Sequence, residues 1–94
     1  MMIVNIQCFG QLRSITKEAI VEIDIKEKAS ITDAITAFVI KYGEEMDKLL
    51  IREGKIRTFY SIQVDRKNVE NEEFDNYSLT DGQTISIIPF VAGG

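Results

Sequence analysis

A chain of 94 residues, 45% hydrophobic and 28% charged, has the composition of one globular domain and not of a disordered chain. Its formal net charge of −4 argues against general nucleic-acid binding, which needs a basic surface to neutralise phosphates. With no histidine and one cysteine, Cys8, it lacks the commonest general base, the usual Cys/His zinc site and any internal disulfide.

Residues 2–8 alternate, with Met2, Val4, Ile6 and Cys8 on one parity and Ile3, Asn5 and Gln7 on the other. That is a strand with one apolar face. Phe9-Gly10-Gln11-Leu12-Arg13 reads as a break containing glycine. Ala19 to Ile25 alternates again and predicts a second strand, paired with the first through a long loop.

Ser30-Ile31-Thr32-Asp33 predicts a helix start, with Ser30 or Thr32 as the cap and Asp33 at the positive end of the dipole. Ile31, Ala34, Ile35, Phe38, Val39 and Tyr42 follow as one apolar stripe, broad enough to pack on a sheet. Gly43 is the expected stop, and Met46, Leu49 and Leu50 suggest a further short helical turn or two.

Ile51 to Thr58 is mixed and basic, with Arg52, Lys55 and Arg57 around a turn near Gly54. Phe59 to Val64 reads as a strand, Asp65 to Asn68 as a turn, and Glu70 to Asp75 as an acidic, solvated connection. Asp81-Gly82 is a strong turn signal before the last strand, Thr84 to Phe90. In that strand Ile85 and Ile87 share one face and Ser86, Ile88 and Phe90 the other.

No nucleotide-binding glycine pattern appears, and no apolar run approaches the length of a membrane helix. The first residues carry no basic n-region or cleavage pattern. The lone cysteine reads as a small buried apolar residue in a reducing cytoplasm. No enzyme chemistry of its own, no metal and no tightly bound cofactor are expected.

The order β-β-α-β-(short β)-β points to an α+β protein, with one main helix packed on one face of a mixed sheet. It is the order of the β-grasp, or ubiquitin-like, fold, in which the first and last strands lie parallel in the middle. Residues 1–94 are read as one such domain, with 91–94 as a flexible tail.

The sequence resembles the MoaD/ThiS sulfur carriers, most closely the molybdopterin-synthase small-subunit branch. The resemblance rests on Phe9-Gly10-Gln11-Leu12-Arg13, Leu79-Thr80-Asp81-Gly82 and Pro89-Phe90-Val91-Ala92-Gly93-Gly94, and it covers essentially the whole chain. The length of Ile51–Thr58 resembles the longer archaeal-type relatives, some of which look like protein modifiers.

The resemblance implies that an E1-like adenylyltransferase uses ATP to adenylate the carboxylate of Gly94, and that a sulfur donor converts it to a thiocarboxylate. It implies delivery of that sulfur in the larger molybdopterin synthase subunit. Conjugation to target proteins, and sulfur transfer to tRNA or thiamine thiazole, remain alternatives. Gly93 and Gly94 suit a tail entering a narrow tunnel, because no Cβ obstructs it. The four residues Val91, Ala92, Gly93 and Gly94 reach about 14 Å at roughly 3.5 Å per residue.

A tail so rich in glycine loses much entropy on ordering, so affinity must come from the globular surface. Strand parity and parallel central strands predict an apolar patch of Phe9, Ile88 and Phe90 beside the tail, with Arg13 at its rim. Aromatic anchors with arginine nearby are common at interface centres.

Overall fold

The alternation along Met2–Cys8 becomes strand β1 in the computed structural model, which describes residues 1–90. Met2, Val4, Ile6 and Cys8 are buried on one face, while Ile3, Asn5 and Gln7 turn to the other. β2 (Ile20–Ile25) runs antiparallel to it, with Met2 opposite Ile25 and Gln7 opposite Ile20. Val21, Ile23 and Ile25 bury on the same side as the β1 set.

The connection between these strands is not the irregular loop expected. It contains helix α1 (Gly10–Thr16), anchored by Leu12, which is fully buried. Leu12, Ile15 and Thr16 make a stripe of i, i+3, i+4, and Lys17 ends the helix in the left-handed region, its N–H donating to the carbonyl of Arg13 at 2.8 Å. The Thr16 hydroxyl donates to the Glu18 carbonyl at 2.7 Å, shaping the turn into β2.

α2 (Ile31–Tyr42) starts on a complete capping box. The Asp33 N–H donates to Ser30 Oγ at 3.1 Å, and the Ser30 N–H donates back to Asp33 Oδ2 at 3.0 Å. Two orphan donors of the first turn are satisfied in this way. The stripe Ile31, Ala34, Ile35, Phe38 and Val39 is buried; Tyr42, expected in the core, is half-buried and meets Phe38 edge-on. Gly43 at φ +84° breaks the chain into α3 (Glu44–Leu50), which buries Met46 and Leu50.

Replacing Ser30 with alanine is expected to cost about 1 kcal/mol. Thermal unfolding should show it as a drop in Tm of about 4–8 °C. The hydrogen bond from the Ser30 N–H also holds the Asp33 carboxyl below its usual pKa. A depressed carboxylate stabilises the fold above the ordinary carboxylate range and loses that contribution as pH falls through the folded value. Asp33→Asn should therefore destabilise at neutral pH, with the difference from wild type shrinking in acid. A gap that stays constant from neutral pH to about pH 2 would contradict this assignment.

The basic segment folds as a small hairpin of its own, β3 (Ile51–Arg52) and β4 (Lys55–Ile56). Glu53 and Gly54 at its tip both have positive φ, as a tight two-residue turn requires. β5 (Tyr60–Val64) and β6 (Lys67–Val69) are joined by Asp65 and Arg66, again both at positive φ. The acidic connection contains a short 3-10 turn, Asn71–Glu73, and buries Phe74.

β7 (Thr84–Pro89) takes the centre of the sheet. The strand order is β2-β1-β7-β5-β6, with β7 parallel to β1 and antiparallel to β5. The turn before it is pinned to β1: the Ile3 N–H donates to Asp81 Oδ1, and the Gly82 N–H donates to the Ile3 carbonyl, each at 2.8 Å. The helices cover one face, over a core that includes Ile6, Phe38, Ile62, Ile85 and Ile87. The α+β, β-grasp reading holds, with α2 as its main helix and two shorter helices beside it. No helix among the described residues is long and apolar enough to cross a membrane.

Candidate functional site

Because β1 and β7 are parallel neighbours, both leave the sheet at the same edge. Cys8 lies opposite Ile87, so Phe9 and Ile88 follow at the same level. The pleat buries Ile85 and Ile87 completely against the helices and turns Ser86 and Ile88 to the open face. Ile88 is half-buried opposite Ser61 of β5. Phe90, with the same parity, is 62% exposed, and Phe9 is 37% exposed.

The Phe9–Gly10 corner packs close to the end of β7. A Cβ added to Gly10 would lie 3.6 Å from Cγ of Pro89, an ordinary contact, but Gly10 has φ +56°. That conformation costs a residue with a Cβ about 1–2 kcal/mol. Gly10→Ala should lower stability by about that amount in urea unfolding. A neutral result would mean that the corner relaxes freely.

The expected residues fall as follows. Phe9, Ile88 and Phe90 gather at one end of the open face, at the edge where β7 leaves the sheet. Arg13 is exposed on α1, the helix that starts at this edge, and forms no ion pair among the described residues. Val91, Ala92, Gly93 and Gly94 lie outside the described residues.

One residue of this surface was not anticipated. Phe59, 51% exposed, accepts the N–H of Phe90 at its carbonyl, 2.7 Å away. Its ring stands edge-on to Tyr60 at 5.2 Å. In the sequence Phe59 reads only as the first residue of a strand; the regular strand begins at Tyr60, although this hydrogen bond extends the β5–β7 pairing by one step. The available signal was its parity with Ser61 and Gln63, which lie opposite Ile88 and Ser86.

Further along the open face the character changes. The Ser86 hydroxyl donates to Gln7 Oε1 at 2.9 Å, although Ser86 is only 6% exposed. A satisfied polar pair therefore occupies the middle of the face; exposed apolar side chains lie at the exit of β7 and also at Ile3 and Ile20 of β1 and β2.

Among the described residues at this edge, the one cysteine is not activated as a nucleophile. Cys8 is buried behind the face, and burial pushes its thiol above the usual range. Its Sγ faces the Ile6 carbonyl at 3.7 Å. A thiol held protonated in an apolar setting is inert. Burial likewise raises the Tyr60 phenol, against the opposing pull of Arg57. The arrangement offers exposed aromatic and half-buried apolar side chains beside the exit of the last strand.

Known proteins extend this picture. The ThiS family model matches residues 6–94. A protein of Archaeoglobus fulgidus described as a sulfur carrier is 36% identical over 73 residues, covering 78% of this chain and 82% of that relative. Small archaeal modifier protein 1 of Methanosarcina acetivorans superposes with a TM-score of 0.82 at 20% identity, over 100% of this chain and 98% of that one. A chain of the Amycolatopsis orientalis BexX/CysO complex gives 0.75 at 25% identity, over 97% and 99%. A Pyrococcus furiosus protein described as molybdopterin converting factor subunit 1 gives 0.75 at 20%, over 97% and 100%. The two structures at 20% identity speak to the fold alone. On the family match and the A. fulgidus relative, the chain belongs to the ThiS family, as a ubiquitin-like β-grasp protein of the MoaD/ThiS sulfur-carrier type.

Proposed function

We propose that this chain carries sulfur as a thiocarboxylate on Gly94 and delivers it in molybdopterin synthesis, as the small partner of a larger synthase subunit. The observation that supports this most is the parallel pairing of β1 and β7. It sets Phe9, Ile88 and Phe90 together at the edge from which the chain continues to Gly93-Gly94.

The chemistry needs a partner. A carboxylate is ionised at neutral pH and is a poor electrophile. An E1-like enzyme supplies ATP: the Gly94 carboxylate attacks the α-phosphate, pyrophosphate leaves, and an acyl-adenylate forms. A sulfide-level nucleophile from a sulfur donor then attacks the carbonyl carbon. The C–S bond forms as the C–O bond to AMP breaks, and the thiol proton goes to solvent. The carrier itself binds no cofactor tightly in this scheme. Its globular surface supplies the affinity that orients the terminus. The lone buried cysteine fits a reducing, cytoplasmic setting.

The test is an intact mass after incubation with an E1-like enzyme, ATP and a sulfur donor. The expected product is heavier by the replacement of one oxygen with sulfur. An unchanged mass, under conditions that load an established carrier, would overturn the proposal.

The longer Ile51–Thr58 segment and the same terminus favour a second reading, conjugation through Gly94 to lysines of target proteins. Denaturing pull-downs would then show heavier species that vanish on removal of Gly94. Recovery of the free protein alone would dismiss that reading. Delivery of the sulfur to tRNA or to a thiazole instead of a pterin would leave the loading step unchanged.

A further inference from the structure

The Cys8 N–H donates to the Ala19 carbonyl at 2.8 Å, and this bond sets which way each backbone group of β2 points. In an antiparallel ladder, hydrogen-bonded pairs alternate with non-bonded ones. In the register of β1 and β2, Val21, Ile23 and Ile25 therefore exchange bonds with Ile6, Val4 and Met2. Ile20, Glu22 and Asp24 direct their N–H and C=O groups away from the sheet. β2 is an edge strand, and no hydrogen bond among the described residues uses those groups. The opposite edge, β6, has only three residues, whereas β2 has six in unbroken register, with no proline or glycine.

The same three residues turn their side chains to the open face. All three are exposed, and Glu22 and Asp24 form no ion pair among the described residues. Their neighbours across β1 are Gln7, Asn5 and Ile3, none of them charged. On this face β7, β5 and β6 present Thr84, Ser86, Ile88, Ser61, Gln63 and Asn68, so none of these strands places a cation there. Lys17, Lys26 and Lys28 lie in the connections beyond the ends of β2, and Lys26 acts on the Asp33 carboxyl at the start of α2. The edge of the open face is thus acidic and unneutralised, beside a row of unpaired backbone groups.

We propose that β2 accepts an extended segment of a partner protein as a sixth strand, and that this segment is basic on the parity that shares the open face. Main-chain hydrogen bonds supply the affinity in such an addition, and alternate side chains supply the specificity. A second copy of this chain does not fit. Only Ile20, Glu22 and Asp24 can bond across the edge, so in either register of longest overlap Glu22 meets a carboxylate of the other copy, Glu22 or Asp24. Like charges directly opposite are destabilising, and charged side chains are a common guard of sheet edges. The acids therefore close the edge to self-association and leave it open to lysine or arginine opposite Glu22 and Asp24. Apolar residues of the other parity continue the buried row of Val21, Ile23 and Ile25 on the helix side. β1 separates this edge from β7, and the site does not depend on whether Gly94 carries sulfur.

The test titrates the full-length chain, labelled with nitrogen-15, with a short synthetic peptide alternating Lys and Val. A counterpart alternating Glu and Val serves as the control. Saturable shifts are expected at the amides of Ile20, Glu22 and Asp24 with the lysine peptide only. Hydrogen exchange should slow at those three amides, while Val21, Ile23 and Ile25, already bonded to β1, change little. The E22K/D24K variant, whose spectrum must remain dispersed as a folded protein, should bind the lysine peptide at least about tenfold more weakly. Four results would overturn the proposal. They are the absence of saturable shifts at millimolar peptide, equal binding of the glutamate peptide, and undiminished binding by the folded variant. The fourth is a set of shifts without slowed exchange at Ile20, Glu22 and Asp24, which would reduce the contact to screening of surface charge.

Discussion

Removal of Gly94 is expected to cut sulfur loading sharply and to leave docking nearly intact. Truncation shortens the reach beyond Phe90 by about 3.5 Å and moves the reacting carboxylate by the same amount. A misplacement of about 1 Å already costs roughly a hundredfold in rate. Loading of the shortened chain, read as thiocarboxylate formed per minute, should therefore fall by at least about a hundredfold. Binding should change little, because Phe9, Arg13, Ile88 and Phe90 lie before the cut and their surroundings are fixed by the sheet. Circular dichroism and Tm should match wild type. A variant that loads at a normal rate would remove Gly94 from the chemistry.

Phe90→Asp has the opposite signature. Phe90 is exposed, so the folded state loses little; surface changes are usually within about 0.5 kcal/mol. Its N–H bond to the Phe59 carbonyl is a backbone contact and survives the substitution. In the complex, however, the change puts a carboxylate where an aromatic anchor is expected. Loss of such an anchor costs about 2–4 kcal/mol, roughly 30- to 1000-fold in Kd for the E1-like enzyme or the larger subunit. Loading should fall at low carrier concentration and recover as the carrier is raised. Ile88→Asp acts in the same direction, but Ile88 is half-buried beside Ser61 and its replacement also disturbs the sheet. Arg13→Glu should slow association more than it weakens the complex, with an effect that diminishes in high salt.

The parts of this account that could be read from residues alone are those with a strong period. β1 and β7 alternate cleanly, and α2 carries an unbroken stripe under a capping box, so their identity and buried faces follow from sequence. Parity also placed Ile88 and Phe90 on the face opposite Ile85 and Ile87. The element order, read as a β-grasp fold, supplied the remaining step, the parallel pairing that brings Phe9 beside them.

Short elements were not legible for a physical reason. α1 has seven residues, opens on Gly10, and offers only Leu12, Ile15 and Thr16 as a stripe, too few turns to distinguish from a loop. β3 and β4 have two residues each and no period at all. Phe59 entered the surface through register, which depends on the pairing of Ser61 with Ile88. The surface between the β3–β4 hairpin and α2 likewise draws on three segments distant in sequence, which no local pattern connects.

On the proposed function labour is divided: the partner holds the globular edge and Gly94 is modified. The chain that lacks Gly94, added to a loading reaction of the wild-type chain, separates the two roles. Competitive inhibition is expected, with an inhibition constant close to the wild-type KM, because the truncated chain should dock as well and fail to react. Undiminished wild-type loading at truncated-chain concentrations well above that KM would contradict it, by showing that recognition resides in the terminal residue itself.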